Sequence, residues 1–177
     1  MTSLFSSAPA FPKVGAFCYA VTMKQTVNVA HARNKKKLYE KIMRDKVCPF
    51  CVDFSEKKDV FQYHTKPILF HGKHWVVTEN FDPYKGTRHH FVFIHRKHIV
   101  SFSELKPAAL KELVVLTKKL EEKFSLPAGV FLFRFGDTNY TGGSVSHFHG
   151  QFVLGAKRSK KNSEPLLLYA GYKKAEK

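Results

Sequence analysis

The sequence has few cysteines, few acidic residues and no long hydrophobic run. Three cysteines in 177 residues do not make a disulfide framework, so we expect reduced thiols and an intracellular, cytoplasmic protein. No apolar stretch approaches the roughly 18 residues of a membrane helix, and we expect no membrane partner. Hydrophobic residues make up 44% of the chain and include 17 Phe. This content supports one domain with a real core and excludes wholesale disorder.

Acidic residues are absent from the first 39 positions, a trait of organelle transit peptides. The longest apolar run, residues 14–23, has the size of a signal-peptide core, but it follows a single charge and precedes no convincing cleavage site. Secretion is therefore disfavoured, and organelle targeting by residues 1–30 stays open beside the cytoplasmic expectation.

The charge is strongly basic, with 30 Lys and Arg against 14 Asp and Glu and a net charge of +16. The excess is concentrated in two flanks: residues 1–46 carry a net +7 and residues 157–177 carry +5. We therefore divide the chain into a partly helical basic extension (1–46), a central domain (47–156) and a basic C-terminal tail (157–177). Such flanks favour nucleic acid or another polyanion as a partner, although a solvated surface explains them equally well.

The hydrophobic pattern predicts an α+β fold around an antiparallel sheet. Apolar residues at helical spacing predict helices over residues 34–46 and 103–124, with Ser103 as the cap of the second and Pro107 in its first turn. The second helix has a predicted core stripe of Leu110, Leu113, Val114, Thr117, Leu120 and Phe124. Five strands are expected within residues 67–70, 75–78, 90–94, 130–135 and 144–154.

The last predicted strand carries the most informative chemistry. Side chains alternate between the two faces of a strand, so His147, His149 and Gln151 are expected on one face, opposite Phe148 and Phe152. Neighbours on a face stand roughly 6–7 Å apart, a spacing that suits a phosphate and the groups around it. A neutral imidazole is a competent nucleophile at phosphorus near pH 7. An ordinary polar sheet face is the competing interpretation, and the alternating pattern after a glycine-rich turn disfavours it.

The turn before this strand, residues 141–144, contains two adjacent glycines. Glycine lets backbone N–H groups approach an anion closely, so Gly143 is a candidate phosphate contact.

These segments together resemble the histidine triad (HIT) superfamily of nucleotidyl hydrolases and transferases. The resemblance rests on Asp82, on residues 90–99, and on residues 142–149 in that order and spacing, and covers residues 47–156. It implies a HIT-like five-stranded antiparallel sheet with flanking helices and a homodimer. It also implies a nucleotide substrate, which we expect to be an adenine nucleotide.

The third triad position departs from the usual pattern, because Gln151 stands where most members have histidine. The His-x-His-x-Gln order is similar to the branch that contains galactose-1-phosphate uridylyltransferase and the diadenosine tetraphosphate phosphorylases. This likeness implies that His149 attacks the α-phosphorus of a dinucleoside polyphosphate or nucleotide conjugate and forms a nucleotidyl-histidine intermediate. An amide cannot exchange a proton as imidazole does, so transfer to an acceptor such as phosphate is favoured without excluding hydrolysis.

Cys48 and Cys51 form a C-x-x-C pair that has three interpretations. A redox motif would follow a buried strand, whereas a charged helical stretch precedes this one. The pair is otherwise either unligated or half of a four-ligand zinc site. Zinc-bearing relatives in the family imply that His98 and His147 complete a structural zinc site.

The resemblance assigns the remaining site residues. It implies ribose binding by Asp82 and, less directly, by Asn80, a phosphate contact for His90, and a leaving-group contact for Ser144. Asn139 lies in a region where family members have an asparagine that binds the nucleotide. The alternative to a nucleotide enzyme is a nucleic-acid-binding module, or an enzyme that processes nucleic-acid ends with the help of the basic flanks.

Overall fold

The computed structural model describes residues 27–29, 35–57 and 60–175. The acid-free segment proposed for targeting lies almost wholly outside these residues, as does the apolar run 14–23. Among the helices of the described residues, none combines the length and apolar character needed to cross a membrane.

The predicted helix–strand order is present, with short helices added. The helices are α1 (Lys36–Asp45), α2 (Pro49–Phe54), α3 (Pro107–Phe124) and α4 (Thr138–Thr141), with a 3₁₀ turn at Phe102–Glu104. The strands are β1 (Ile68–His71), β2 (Trp75–Glu79), β3 (His89–His95), β4 (Val130–Arg134) and β5 (His149–Leu154).

All five strands join one antiparallel sheet in the order β1-β2-β3-β5-β4. The fold is therefore the predicted α+β architecture, a five-stranded antiparallel sheet with flanking helices. β5 lies between β3 and β4, so residues at its start face Ile94 on one side and Arg134 on the other. Side chains of β5 are consequently buried within the sheet rather than at its edge.

The two faces of the sheet have different roles. One face packs against α3 through an aromatic core that includes Trp75, Phe91, Phe93, Phe148 and Phe152, which confirms the predicted core position of Phe148 and Phe152. Gly150 on this face admits no side chain, because a Cβ there would lie 2.7 Å from ring carbons of Phe131 and Phe133. The opposite face holds Val76, Val92 and Ile94, which pack against Phe54 of α2.

The C-x-x-C pair lies at the start of the short helix α2. Cys48 is the residue before α2, Pro49 occupies the first helical position and Cys51 lies in the first turn. Proline suits that position because its fixed φ is already helical and its missing N–H would have no helical partner. The short helix brings both thiols to its N-terminal end.

The long helix starts four residues later than predicted. Ser101 caps the separate 3₁₀ turn by a capping box with Glu104, whereas α3 begins at Pro107 without a side-chain cap. Leu105 is extended, with φ −68° and ψ 127°, and the 3₁₀ turn therefore stops short of the helix.

The predicted stripe of α3 is confirmed in part, since Leu120 is buried in the core and Leu113 and Phe124 pack against it. Ala109, Leu116 and Leu120 are buried, whereas Leu110 and Val114 are exposed. The carbonyl of the buried Ala109 also accepts the Trp75 indole N–H at 2.7 Å, which connects the start of the helix to β2.

The strand predicted over residues 144–154 begins only at His149. The ladder with β3 continues only to Phe148, whose carbonyl accepts the His95 N–H at 3.3 Å, because β3 ends at His95. The segment instead hydrogen-bonds to the loop beyond, with Phe148 N–H donating to the Ile99 carbonyl at 2.8 Å, and Val145 bridges to Val27. His147 therefore lies outside the strand.

Candidate active site and metal centre

A cavity of about 270 Å³ opens on the face of the sheet opposite α3. Its floor is formed by alternate side chains of three strands, including Thr78, Val92, Ile94, His149 and Gln151. The strands place aromatic and aliphatic groups beside a few polar ones, which is the usual composition of a small-molecule site.

His149 is buried in the floor of this cavity with its tautomer fixed. Its Nδ1 lies 2.6 Å from the carbonyl oxygen of His147, which can only accept a hydrogen bond. The proton therefore resides on Nδ1, and Nε2 carries the lone pair. Burial lowers the pKa of His149 to about 4, so the ring is neutral at physiological pH. A neutral imidazole with an available lone pair is the form required of a nucleophile.

Gln151 lines the cavity two residues further along the same strand. Its Oε1 lies 3.1 Å from Nε2 of His90. The backbone N–H of Tyr84 donates to Nδ1 of His90 at 3.2 Å, which favours the proton on Nε2 and donation from there to the Gln151 carbonyl oxygen. The Gln151 amide N–H₂ is then the end that can donate to a ligand.

His90 is not among the residues that line the cavity, and its role as a phosphate contact stays a prediction. It is buried behind Gln151, stacked on the Tyr84 ring with centroids 4.8 Å apart. Asn80 Nδ2 lies 3.0 Å from the same Nε2, so His90 is also in contact with the ribose-binding candidate. The geometry makes His90 a positioning residue for Gln151.

The predicted ribose-binding residues lie at the β2 end of the cavity. Asn80 and Asp82 both line it, and the Asn80 Oδ1 accepts the Asp82 backbone N–H at 2.9 Å. Asp82 is only 8% exposed, so its carboxylate is held at the cavity wall, close to where a ligand would bind.

The glycine-rich turn also lies in the wall, as predicted for a phosphate contact. Gly143 and Ser144 line the cavity after α4, which ends at Gly142 in the left-handed conformation with φ 65°. Glycine adopts this conformation without strain.

Asn139 is not among the residues that line the cavity, and its nucleotide contact stays a prediction. It sits in the first turn of α4, where its N–H donates to the capping carboxylate of Asp137 at 2.8 Å and its Oδ1 accepts from Asn28 at 3.1 Å. A four-residue helix that the sequence pattern does not reveal turns this side chain outward.

His147 turns away from the cavity, so the three motif side chains do not stand in one row. Its Nδ1 lies 3.4 Å from Cys48 Sγ, 3.6 Å from Cys51 Sγ and 3.2 Å from His98 Nδ1. Only His149 and Gln151 face the cavity. His147 escapes the alternation because it precedes the first strand residue.

The four predicted metal ligands form one cluster. The ligand atoms of Cys48, Cys51, His98 and His147 all lie within 4.8 Å of one another. Tetrahedral zinc, with bonds of roughly 2.3 Å to sulfur and 2.0–2.1 Å to nitrogen, separates sulfur from nitrogen by about 3.5 Å and two nitrogens by about 3.3 Å. The contacts of 3.1–3.6 Å therefore fit a metal ion.

The surroundings also prepare these residues to bind a cation. His147 Nε2 lies 2.5 Å from the carbonyl oxygen of His95, which fixes the proton there and leaves the lone pair on Nδ1. Hydrogen bonding from Cys51, supported by the two imidazoles, lowers the pKa of the Cys48 thiol, and the same hydrogen bond raises the pKa of the Cys51 thiol. Two cysteines and two histidines whose ligand atoms converge on one point form a typical zinc-binding donor set.

Several cavity residues were not predicted from the sequence. Phe50 of α2 contacts the rings of both His147 and His149 edge-on at 5.5 Å. Arg134, from the end of β4, is buried in the wall. Tyr169 and Tyr172, from the C-terminal tail, also line the cavity. The sequence contained a signal for Arg134, a charged residue that ends an apolar strand and pairs with His149. It contained no signal for the path of the C-terminal tail.

Comparison with known proteins finds similar structures but no sequence family. No protein-family model matches the sequence, and no curated protein matches it either.

The similar solved structures include three histidine triad proteins. A HIT family hydrolase from Legionella pneumophila has 21% identity, with 54% of this chain and 85% of that chain covered and a TM-score of 0.43. A zinc-bound histidine triad family protein from Mycobacterium smegmatis has 13% identity, with 56% of this chain and 72% of that chain covered and a TM-score of 0.42. A histidine triad nucleotide-binding protein from Candida albicans has 14% identity, 58% and 80% coverage and a TM-score of 0.43. Similarities at this level decide neither activity nor substrate.

Proposed function

We propose that this protein is a nucleotidyl transferase or hydrolase of the histidine triad type, which cleaves at the α-phosphate of a nucleotide through a covalent nucleotidyl-histidine. One observation carries the proposal. His149 is held as a neutral Nδ1–H imidazole by the His147 carbonyl, with its Nε2 lone pair available in a cavity wall.

The proposed reaction has two displacements at phosphorus. In the first, the His149 Nε2 lone pair forms a bond to the α-phosphorus, and the bond from phosphorus to the leaving oxygen breaks with its electron pair. In the second, an oxygen of water or inorganic phosphate attacks the nucleotidyl-histidine, and the P–N bond breaks to restore the imidazole. A phosphate acceptor brings an oxygen that is already ionised, whereas water must lose a proton.

The remaining cavity residues have roles in binding and charge stabilisation. The Gln151 amide and the residues of the glycine-rich turn are suitably placed to donate to the non-bridging oxygens, on which charge develops during the attack. Asp82 and Asn80, at the β2 end, are placed to bind ribose hydroxyls.

Gln151 supports the finer assignment to the branch with uridylyltransferases and phosphorylases. A carboxamide donates hydrogen bonds without gaining or losing a proton, so it serves the first displacement but cannot deprotonate a water molecule for the second. This property favours phosphate over water as the acceptor.

Zinc, held by Cys48, Cys51, His98 and His147, would have a structural role. The cluster joins α2 to the loop after β3 and to the residue two before His149. A bound ion would therefore fix the His147 backbone, whose carbonyl oxygen sets the tautomer of His149.

A panel of adenine, guanine and uracil nucleotides tests the proposal. Dinucleoside polyphosphates and nucleoside phosphoramidates are incubated with the protein, with and without inorganic phosphate, and the products are separated by chromatography. We expect cleavage that His149→Ala reduces by at least about 10³-fold, because the variant removes the nucleophile. His71→Ala, an exposed histidine, is the matched control. Unchanged cleavage in His149→Ala would refute the proposal.

A second candidate function, the processing of nucleic-acid ends, is favoured by the position of the basic flanks. Tyr39 of the basic helix α1 and Tyr172 of the basic tail both line the same cavity, so the two lysine-rich segments run to its rim. A single-stranded oligonucleotide with a 5′-adenylyl group tests this candidate against a free dinucleotide. Preference for the oligonucleotide that falls steeply with salt supports it, and equal rates at all salt concentrations contradict it.

A further inference from the structure

The guanidinium of Arg134 is buried in the cavity wall without a carboxylate partner. The residue is 6% exposed, and in the part of the chain that the structure describes its charge has no acidic group within ion-pair distance. Its hydrogen bonds all go to neutral oxygens. Nη2 donates to the Tyr84 hydroxyl at 2.6 Å and to the Tyr169 carbonyl, and Nε donates to the Thr141 carbonyl at 3.1 Å.

A buried cation without a counter-ion is costly. The neutral oxygens around Arg134 satisfy donors but do not neutralise the charge. In a cavity wall, the missing negative charge can be supplied by a ligand. Among the contacts in the described residues, none involves Nη1, so this nitrogen can donate to such a ligand.

The sheet order fixes where that ligand group would lie. Arg134 on β4 is directly opposite His149 on β5, and opposite residues of an antiparallel pair project on the same face. β2, which leads to the ribose-binding candidates Asn80 and Asp82, lies on the other side of β3 and β5. With neighbouring strands roughly 4.8 Å apart, the backbones of β2 and β4 are separated by about 14 Å across the sheet. Arg134 and the ribose-binding candidates therefore approach the cavity from strands on opposite sides of β5, which carries His149.

Gln151 gives an independent reason to expect an anion beside His149. When His149 displaces an amine, the leaving nitrogen needs a proton, which a carboxamide cannot supply. A phosphate or polyphosphate leaves with its electron pair as a stable anion and needs no proton. Arg134 can stabilise the charge that accumulates on such a group as the P–O bond breaks.

From these relationships we infer that Arg134 binds an anionic phosphate leaving group, so that the enzyme acts on nucleotidyl–phosphate anhydrides in preference to nucleotidyl amines. The inference rests on the proposed function, because it assigns the leaving-group side of the same site. It adds a substrate class and a binding residue to that proposal. The tail also takes part, since the Tyr169 carbonyl holds the guanidinium in place.

The test compares two substrates within each variant. Diadenosine tetraphosphate has a polyphosphate leaving group, and adenosine 5′-phosphoramidate has an amine leaving group. Arg134→Gln should lower kcat/KM for the tetraphosphate by about 30-fold, the loss expected for a charge-assisted hydrogen bond, and change the phosphoramidate rate by less than about threefold. The kcat/KM of Arg134→Lys for the tetraphosphate should fall between those of the wild type and Arg134→Gln, because lysine keeps the charge but lacks the planar fork.

The ratio of the tetraphosphate rate to the phosphoramidate rate distinguishes a specific effect from misfolding, because loss of folded protein lowers both rates equally. Lys118→Gln removes a positive charge from α3, on the other face of the sheet, and should change neither rate. Equal losses on both substrates, or no loss on the tetraphosphate, would overturn the inference.

A binding measurement separates this inference from the proposed function. Calorimetry with ADP and with adenosine should show that Arg134→Gln weakens ADP binding by about 30-fold and leaves adenosine binding unchanged. If the wild-type protein cleaves neither substrate, the proposed function has failed. The calorimetric comparison still decides whether Arg134 binds a phosphate. Equal affinities of wild type and variant for ADP would then refute the inference as well.

Discussion

The Nδ1 of His149 lies 2.6 Å from the carbonyl oxygen of His147, and this hydrogen bond connects the candidate nucleophile to the metal-ligand cluster. The ring of His147 belongs to the metal-ligand cluster, while its backbone carbonyl orients His149. Two histidines that the sequence presents as a matched pair therefore have different tasks.

Gln151 is expected to contribute through its amide donor. We predict that Gln151→Ala lowers the rate of nucleotidyl-histidine formation by roughly 10²-fold, because a preorganised donor at the developing charge is lost. Single-turnover kinetics with intact-mass detection measure this step. Gln62→Ala, at an exposed glutamine, should leave the rate within about twofold. A Gln151→Ala rate equal to that of the wild type would show that the amide takes no part.

The metal cluster is expected to bind one zinc ion per chain and to stabilise the fold. We predict that Cys48→Ser and His98→Asn each abolish stoichiometric zinc, measured by elemental analysis, and lower Tm by at least about 5 °C. Cys18→Ser is the matched cysteine control, since the sequence assigns Cys18 no ligand role and it lies outside the described residues. Full zinc content in Cys48→Ser would contradict the assignment.

His64 is expected to make stability dependent on pH. Burial lowers its pKa to about 4, whereas the unfolded chain binds a proton near pH 6.5. Protonation therefore favours the unfolded state, so the contribution of neutral His64 is complete above pH 6.5 and is lost as the pH falls from 6.5 towards 4.

Urea unfolding at a series of pH values measures this effect. The free energy of unfolding of the wild type should decline over that interval more steeply than that of His64→Gln, which keeps a donor for the Thr78 hydroxyl that His64 contacts at 2.8 Å. Parallel curves for the two proteins would contradict the prediction. His71→Gln, at an exposed position, should follow the wild type.

The central strands were predictable because their hydrophobic periods are regular, whereas the short helices α2 and α4 were not. β2, β3 and β4 have alternating or continuous apolar residues bounded by polar turns, and each was found within a residue or two of its expected position. The stripe of α3 was misjudged at Leu110 and Val114, since a helix with apolar residues on more than one side does not reveal which side is buried.

The candidate site was only partly predictable. Four metal ligands and the pair His149 and Gln151 came from motif order, and the structure brings each group together. The orientation of His147 was missed because strand alternation was extended beyond the true start of β5. The tail contacts of Tyr169 and Tyr172 depend on tertiary structure alone, for which the sequence has no local signal.

The account depends most on a covalent bond between His149 and a nucleotide, and intact-mass spectrometry followed by peptide mapping tests it directly. After a brief incubation with diadenosine tetraphosphate, the account predicts a mass increase of one adenylyl group, mapped to His149 and absent from His149→Ala. Cleavage of the nucleotide without any adduct on rapid quenching, or an adduct on another residue, would contradict it.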